Sequence, residues 1–112
     1  MMLLSDAVEA FRSEGVPVAH ERFENDSESR LSPPYVVAHL KRTKYEYADD
    51  RILHILCDYD FVLYCKRRDL SLEGRIEQKL CEAEINPRDK RGDDEEYLGL
   101  VSVTFEMKLY ER

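Results

Sequence analysis

The residues with the clearest capacity for chemistry are a histidine and two cysteines in one apolar stretch, His54, Cys57 and Cys65. Imidazole and thiolate groups are the usual ligands of zinc, so their spacing has to be weighed as a metal site. His54 and Cys57 are three residues apart in a predicted strand, where residues three apart face opposite sides of the sheet. The sequence contains no CxxC pair that would supply further ligands. It therefore predicts no metal site.

The cysteines also bear on catalysis and on the redox environment. There are three of them, Cys57, Cys65 and Cys81, an odd number in a sequence with no recognisable export signal. That pattern is typical of free thiols in a reducing cytosol, and we expect all three to be buried packing residues. A thiol nucleophile would need a histidine beside it in an electropositive cleft, and no segment of the sequence creates such a cleft.

Pairs of acidic residues are the remaining candidates for acid and base chemistry or for binding a divalent cation. They are Asp49 with Asp50 and Asp58 with Asp60. Turn formation accounts for the first pair, because aspartate is frequent in turns, and exposure on a strand accounts for the second. We therefore assign no catalytic, cofactor-binding or metal-binding residue, and we expect a protein that is not an enzyme.

A mixture of basic and aromatic side chains could instead bind nucleic acid. Lys41, Arg42 and Lys44 precede Tyr45 and Tyr47, a combination that suits single-stranded nucleic acid. The basic residues 66–68 would join them in one patch if a hairpin brought both clusters together. However, the formal net charge is -7, and general phosphate binding depends on an excess of lysine and arginine. A small α+β domain that binds single-stranded nucleic acid is the alternative hypothesis.

The length and composition indicate one folded domain. At 112 residues the chain fits a single domain, which we take to be residues 1–112. Charged residues make up 37% of it, which predicts a heavily solvated surface. The opening Met1-Met2-Leu3-Leu4 is shorter than the apolar region of about 7 to 15 residues in a signal peptide, so we expect no membrane association. Residues 24–32 are polar and are predicted to form a mobile loop.

Apolar periodicity predicts the first elements of secondary structure. Apolar residues between Leu4 and Phe11 recur at helical spacing, with Ser5 or Asp6 as the helix cap and Gly15 as a left-handed stop.

Two strands follow, over residues 35–42 and 52–66. The second is longer than an average strand, which suggests a bulge near residues 58–60. Beyond it, Tyr59, Phe61, Leu63 and Cys65 are predicted to face the core.

The second half of the chain completes the predicted fold. Asp69 is the expected N-cap of a second helix, which carries an apolar stripe and ends at Asn86-Pro87. The stripe consists of Leu72, Ile76, Leu80 and Ala83. Residues 88–96 form a block of opposite charges and are predicted to be a hairpin tip. Residues 101–109 alternate as a half-buried antiparallel strand does. We therefore predict an α+β fold with an N-terminal helix, a mainly antiparallel sheet of about four strands, and a second helix packed on one sheet face.

The order of these elements and several local features resemble those of the tail terminator, or tail completion, proteins of long-tailed phages and prophages, and of related minor tail proteins. The features are Pro34-Tyr35-Val36-Val37, Tyr47-Ala48-Asp49, Tyr64 with Lys66 and Asp69, and the closing strand at residues 98–110. The resemblance covers residues 32–110. The chain departs from the family in the extra loop at 24–32 and in Asp69-Leu70-Ser71, where family members commonly have Asp-Pro.

The resemblance implies a structural role. Such proteins form rings, typically hexameric, that cap the head-proximal end of the tail tube and contribute to joining the head to the tail. It implies three protein partners, namely further copies of the chain, the tail tube protein and a head-connector protein. DNA would pass through the ring without specific binding, in keeping with a net charge of -7. The implied location is the virion tail, and the bacterial host cytoplasm during assembly.

Two loops are predicted to contact other copies or partners. The interface residues are Tyr45, Tyr47 and Asp49 in the first and Arg88, Lys90, Arg91, Asp93 and Asp94 in the second. Because the second loop has separate basic and acidic parts, its charges are expected to pair between neighbours around a closed ring.

Overall fold

The computed structural model describes residues 2–20, 32–97 and 99–110. It contains two helices, α1 (Leu4–Arg12) and α2 (Leu70–Glu82), with α2 between the third and fourth strands. The strands are β1 (Val18–His20), β2 (Tyr35–Ala48), β3 (Arg51–Cys65), β4 (Asp89–Tyr97) and β5 (Leu100–Tyr110). The predicted α+β class is confirmed, with five strands in the described residues rather than about four.

The strands form one sheet in the order β1-β2-β3-β5-β4. All neighbouring pairs are antiparallel except β1 and β2, which run parallel. The predicted, mainly antiparallel arrangement is confirmed. β3 lies at the centre, so its apolar residues contribute most to the core.

The hydrophobic core lies between the two helices and one face of the sheet. Phe11 of α1 stacks on Phe61 of β3 with ring centroids 5.4 Å apart, and it meets Phe105 of β5 edge-on at 5.7 Å. The predicted core face of β3 is confirmed, since Tyr59, Phe61, Leu63 and Cys65 are all buried. The same holds for β5, where Val103, Phe105, Met107 and Leu109 are buried and Val101 is partly buried against them.

The predicted N-cap is confirmed for α2 and is wrong for α1. Asp69 caps α2 as predicted, because its Oδ1 accepts a hydrogen bond of 3.0 Å from the Leu72 N–H. The predicted caps of α1 are wrong, because the helix begins at Leu4 and its N-cap, Leu3, makes no side-chain bond. Ser5 and Asp6 therefore lie inside the first turn. Gly15, at φ +75°, has the left-handed conformation that was predicted beyond the helix end.

The prediction that residues 88–96 form a hairpin tip is wrong. Residues 89–97 form β4, an edge strand paired with β5. The Arg88 N–H, just before β4, donates to the Glu106 carbonyl at 2.7 Å. Charged side chains are tolerated along this strand because an edge strand is open to solvent, and charge there opposes pairing with other sheets.

Three further expectations have mixed outcomes. Cys57 and Cys65 are buried as predicted, but Cys81 is exposed on α2, so the prediction of a buried thiol is wrong there. Residues 24–31 of the predicted loop lie outside the described residues. In the described part of the chain, neither helix is long and apolar enough to cross a membrane.

Candidate functional site

The most distinctive feature of the surface is a two-stranded arm at one end of the sheet. β5 pairs with β3 only from Leu56 to Cys65, and β1 pairs with β2 only from Val36 to Ala38. Residues 45–55, which we call the arm, therefore have no third strand beside them among the described strands. The arm contributes to the elongated shape of the molecule, which measures 51 × 31 × 22 Å.

The tip of the arm is a tight turn formed by Asp49 and Asp50. Their φ angles are 50° and 64°. Two successive residues with positive φ define a type I′ turn, whose twist matches that of the two strands it joins. The predicted turn at these aspartates is confirmed, and it places two exposed carboxylates at the end of the molecule.

The arm carries most of the exposed apolar side chains of the described residues. Of the six large ones, four lie in the arm: Tyr45 (48% exposed), Tyr47 (64%), Ile52 (54%) and Leu53 (59%). The other two are Leu40 and Leu70. The rings of Tyr45 and Tyr47 lie side by side with centroids 6.5 Å apart. This clustering is the kind of exposed apolar patch that marks an interaction surface.

A bulge in β2 determines which face of the arm is apolar. Leu40 pairs with Tyr59 and Arg42 with Asp58, so Lys41 is the extra residue. The bulge predicted near residues 58–60 of β3 is wrong in its position: the extra residue opposite them is Lys41 of β2, and a second register shift, between Glu46 and Tyr47, leaves Leu53 of β3 as the extra residue. An extra residue reverses the alternation that follows, and it turns Tyr45 towards the helix-covered side of the sheet.

The apolar face of the arm continues the face that forms the core. Tyr45 pairs with Ile55, which packs against the core, and Tyr47 pairs with Ile52. Cross-strand partners share a face, so these side chains form one stripe that runs from the core onto the uncovered arm. An isolated two-stranded hairpin is at best marginally stable in water, so a partner that covered this stripe would also stabilise the arm.

The residues predicted for the second interface are separated from the arm. Arg88, Lys90, Arg91, Asp93 and Asp94 lie in β4 or just before it, at the β4 edge of the sheet, with β5 and β3 between them and β2. The structure thus brings Tyr45, Tyr47 and Asp49 together on the arm and leaves these five elsewhere. The side chains of Asp93 and Asp94 lie outside the described residues.

The two described basic residues of β4 form ion pairs within their own chain. Arg91 contacts Asp89 at 2.7 Å and Glu106 at 3.1 Å on the face of the sheet away from the helices. Lys90 points to the other face and pairs with Glu73 and Glu77 of α2. Their role between copies of the chain stays a prediction, and a contact there would have to compete with these internal pairs.

A buried carboxylate links α2, β4 and the end of β3. The Glu73 side chain is 1% exposed. It accepts two hydrogen bonds from Arg68, at 2.8 and 3.0 Å, and pairs with Lys90 at 3.3 Å. Burial by itself would raise the pKa of Glu73, but the hydrogen bonds from Arg68 and Lys90 outweigh it and hold the pKa below its ordinary value. Glu73 is therefore charged at neutral pH and stabilises the fold only while ionised.

This arrangement predicts a pH-dependent loss of stability on replacing Glu73 by glutamine. Near pH 7 the variant should lose about 2 kcal/mol of unfolding free energy, because Arg68 and Lys90 lose their shared anion. A group with a lowered pKa in the folded state loses its contribution as the pH falls through that pKa, so the difference should be smaller at an acidic pH well below the ordinary glutamate pKa than at pH 7. Urea unfolding of both proteins at both pH values measures it. The exposed Glu77→Gln is the control, with an effect below about 0.5 kcal/mol.

The basic clusters considered for nucleic-acid binding do not form one patch. Tyr35 pairs with Tyr64, so residues 66–68 lie beside the start of β2. Lys41 is six residues further along β2, which is about 20 Å at the rise of an extended strand. Lys41 also faces Asp60 at 3.7 Å. The expectation of a single basic patch is therefore wrong.

The side chains considered for metal binding or catalysis are separated by the sheet. Cys57 is buried in the core, whereas the His54 ring packs edge-on against Tyr110 on the opposite face, with centroids 5.3 Å apart. Burial, and then the charges of Asp69 and Glu73, raise the pKa of the Cys65 thiol. Within the described ranges, no three His, Cys, Asp or Glu side chains are grouped to hold a metal ion.

The sequence did not reveal a pocket at the end of β3 away from the arm. It has a volume of about 370 Å³, and its lining combines apolar residues with charged residues that follow β3. The lining residues are Pro33, Pro34, Cys65, Lys66, Arg67, Arg68, Asp69 and Leu72. The only sequence signal for it was the basic run at residues 66–68. Its position depends on the start of β2 lying beside the end of β3, which sequence alone does not show.

Comparison with known proteins adds no assignment, because no protein-family model and no curated protein matches the sequence.

Proposed function

We propose that this chain is a structural protein that acts by self-association, of the kind that terminates phage tails. In this proposal several copies, typically six, form a ring that caps the head-proximal end of the tail tube and contributes to head-tail joining. The partners are further copies of the chain, the tube protein and a head-connector protein, with DNA passing through the opening. The protein would act in the virion tail after assembly in the host cytoplasm, and no catalytic step is part of the proposal.

The observation that carries this proposal is the uncovered apolar arm. Its exposed side chains Tyr45, Tyr47 and Ile52 form a stripe continuous with the core, at one end of an elongated body. An interface gains stability mainly by burying such aromatic and aliphatic side chains. The chemistry therefore favours a protein partner for the arm, and the sequence resemblance supplies the kind of assembly.

The experiment that tests the proposal is a mass measurement in solution, alone and with a tail tube protein, followed by electron microscopy of the larger species. We expect concentration-dependent association, and closed rings with a central opening, alone or on the ends of tubes. A chain that stays monomeric under all these conditions would contradict the proposal.

A single-stranded nucleic-acid-binding domain is the second candidate. The exposed rings of Tyr45 and Tyr47, close to Lys44 in the sequence, favour it, because bases stack on such rings beside a cation. It predicts that a labelled single-stranded oligonucleotide binds strongly at low salt and weakly at high salt. Binding should be lost when Lys41, Arg42 and Lys44 are replaced by alanine. Association without oligonucleotide binding would exclude this candidate.

A further inference from the structure

We infer that the arm tip of one copy seats in the pocket at the far end of β3 of a second copy. The inference rests on the proposed function, since it names the partner surface for the arm. It assigns a head-to-tail contact between two different parts of the same chain. Both parts are described in the structure, and their chemistry is complementary.

The arm tip is an acidic end with apolar flanks. Asp49 and Asp50 are exposed in the turn, and Tyr47 and Ile52, a cross-strand pair next to the turn, are 64% and 54% exposed. No ion pair involves Asp49 or Asp50 in the described part of the chain. The tip thus presents two exposed carboxylates, unpaired among the described residues, beside an apolar pair that is more than half exposed.

The pocket offers the opposite charge with apolar walls. Lys66 and Arg67 are exposed, and neither forms an ion pair with any residue the structure describes. Arg68 is different, because its guanidinium is held by Glu73. The carboxylate of Asp69 is also occupied, since it caps α2. The pocket therefore presents a positive rim on walls formed by Pro33, Pro34 and Leu72, which suit an aromatic or aliphatic side chain.

The geometry excludes a contact within one molecule. The tip lies just before Arg51, the first residue of β3. The pocket is lined in part by Cys65, the last residue of the same strand. A strand of this length spans about 46 Å, close to the 51 Å long axis of the molecule. The tip can reach such a pocket only on another copy. Because the two surfaces differ, repeated contacts close into a ring or extend into a filament.

Two variants with altered charge test the inference. In the tip variant, Asp49→Asn and Asp50→Gly remove both carboxylates while providing Asn-Gly, the preferred sequence for a type I′ turn, so the arm keeps its shape. In the pocket variant, Lys66→Glu and Arg67→Glu reverse the rim. Each variant should associate at least about tenfold more weakly than the native chain, with less salt dependence.

Mixing the two variants distinguishes a head-to-tail contact from a symmetric one. The pocket variant retains an intact tip and the tip variant an intact pocket, so one productive contact remains. At concentrations where each variant alone is monomeric, the mixture should form 1:1 heterodimers and nothing larger. Native mass spectrometry, with one variant labelled by heavy isotopes, identifies them.

The other outcomes have defined meanings. If the native chain associates and the charge variants associate equally well, the inference is overturned while the proposed self-association stands. The same holds if the variants lose association but their mixture forms no heterodimer. If the native chain does not associate under any condition, both fail. Lys79→Glu, on the exposed side of α2 away from the pocket, is the charge control and should associate like the native chain.

Discussion

Replacing Tyr47 and its cross-strand partner Ile52 together by threonine is expected to abolish self-association while leaving the monomer folded. Both side chains are more than half exposed, so little native packing is lost. Threonine also keeps the strand preference of the arm. Burying a large apolar side chain contributes about 1.5 to 3 kcal/mol, so the loss of two should weaken association at least about a hundredfold. Sedimentation analysis over a range of concentrations measures the change.

Leu40→Thr is the matched control for the arm variant. Leu40 is an exposed aliphatic residue of β2 that lies outside the arm and is 40% exposed. Its replacement should leave the association constant unchanged within about threefold. If the arm variant associates as strongly as the native chain, the arm is not the interface and the proposed function loses its main support.

The largest effect on stability is expected for Phe61→Ala. Phe61 is fully buried in the central strand and stacks on Phe11, so its removal leaves a cavity between α1 and the sheet. Such truncations cost about 3 to 5 kcal/mol, a large part of the roughly 5 to 15 kcal/mol that stabilises a typical domain. Urea unfolding followed by circular dichroism should show a lower midpoint for this variant.

Tyr47→Ala serves as the control for that measurement, because it also removes an aromatic ring from the sheet. Its side chain is 64% exposed, so the expected loss in the monomer is within about 0.5 kcal/mol. A loss below about 1 kcal/mol for Phe61→Ala would mean that α1 does not pack on the sheet as described.

The strands predicted most accurately from the sequence are those with one face buried in the core, because burial requires apolar residues at every second position. β3 and β5 alternate clearly because one face of each is buried against the helices, so the core face of β3, including Phe61, and the half-buried alternation of β5 were predicted correctly. Local chemistry was also sufficient at Asp69, which caps α2, and at Asp49 and Asp50, which form the turn of the arm. In each case the determining interactions lie within a few residues of the chain or repeat along one strand.

Strands at the sheet edges were not predicted, and the reason is physical. β4 contains Asp89, Lys90 and Arg91 at its start, and this composition is typical of a turn; only pairing with β5 makes it a strand. β1 has three residues, too few to show any alternation. Pairing between distant segments, rather than local preference, determines both strands.

The candidate site was predicted only in part. Tyr45, Tyr47 and Asp49 were chosen for their position in a loop, whereas the two tyrosines lie in β2 and Asp49 in the tight turn that joins β2 to β3. What makes them a surface is that β5 stops pairing with β3 at Leu56, which depends on the register between two distant strands. The bulge at Lys41 turns the tyrosines towards the apolar face, whereas the length of β3 had led to the prediction of a bulge near residues 58–60 of β3 itself.

The central position of β3 has a consequence for the order of events during synthesis. Its pairing with β2 is local and can form early, whereas its other neighbour, β5, arrives much later: Leu56 pairs with Tyr110 and Cys65 with Val101. Contacts between segments this distant in sequence form slowly. Until the last strand emerges from the ribosome, the second edge of β3 remains open. The nascent chain is therefore expected to need protection from aggregation in that interval, and any mutation that slows docking of β5 should lower the yield of soluble protein.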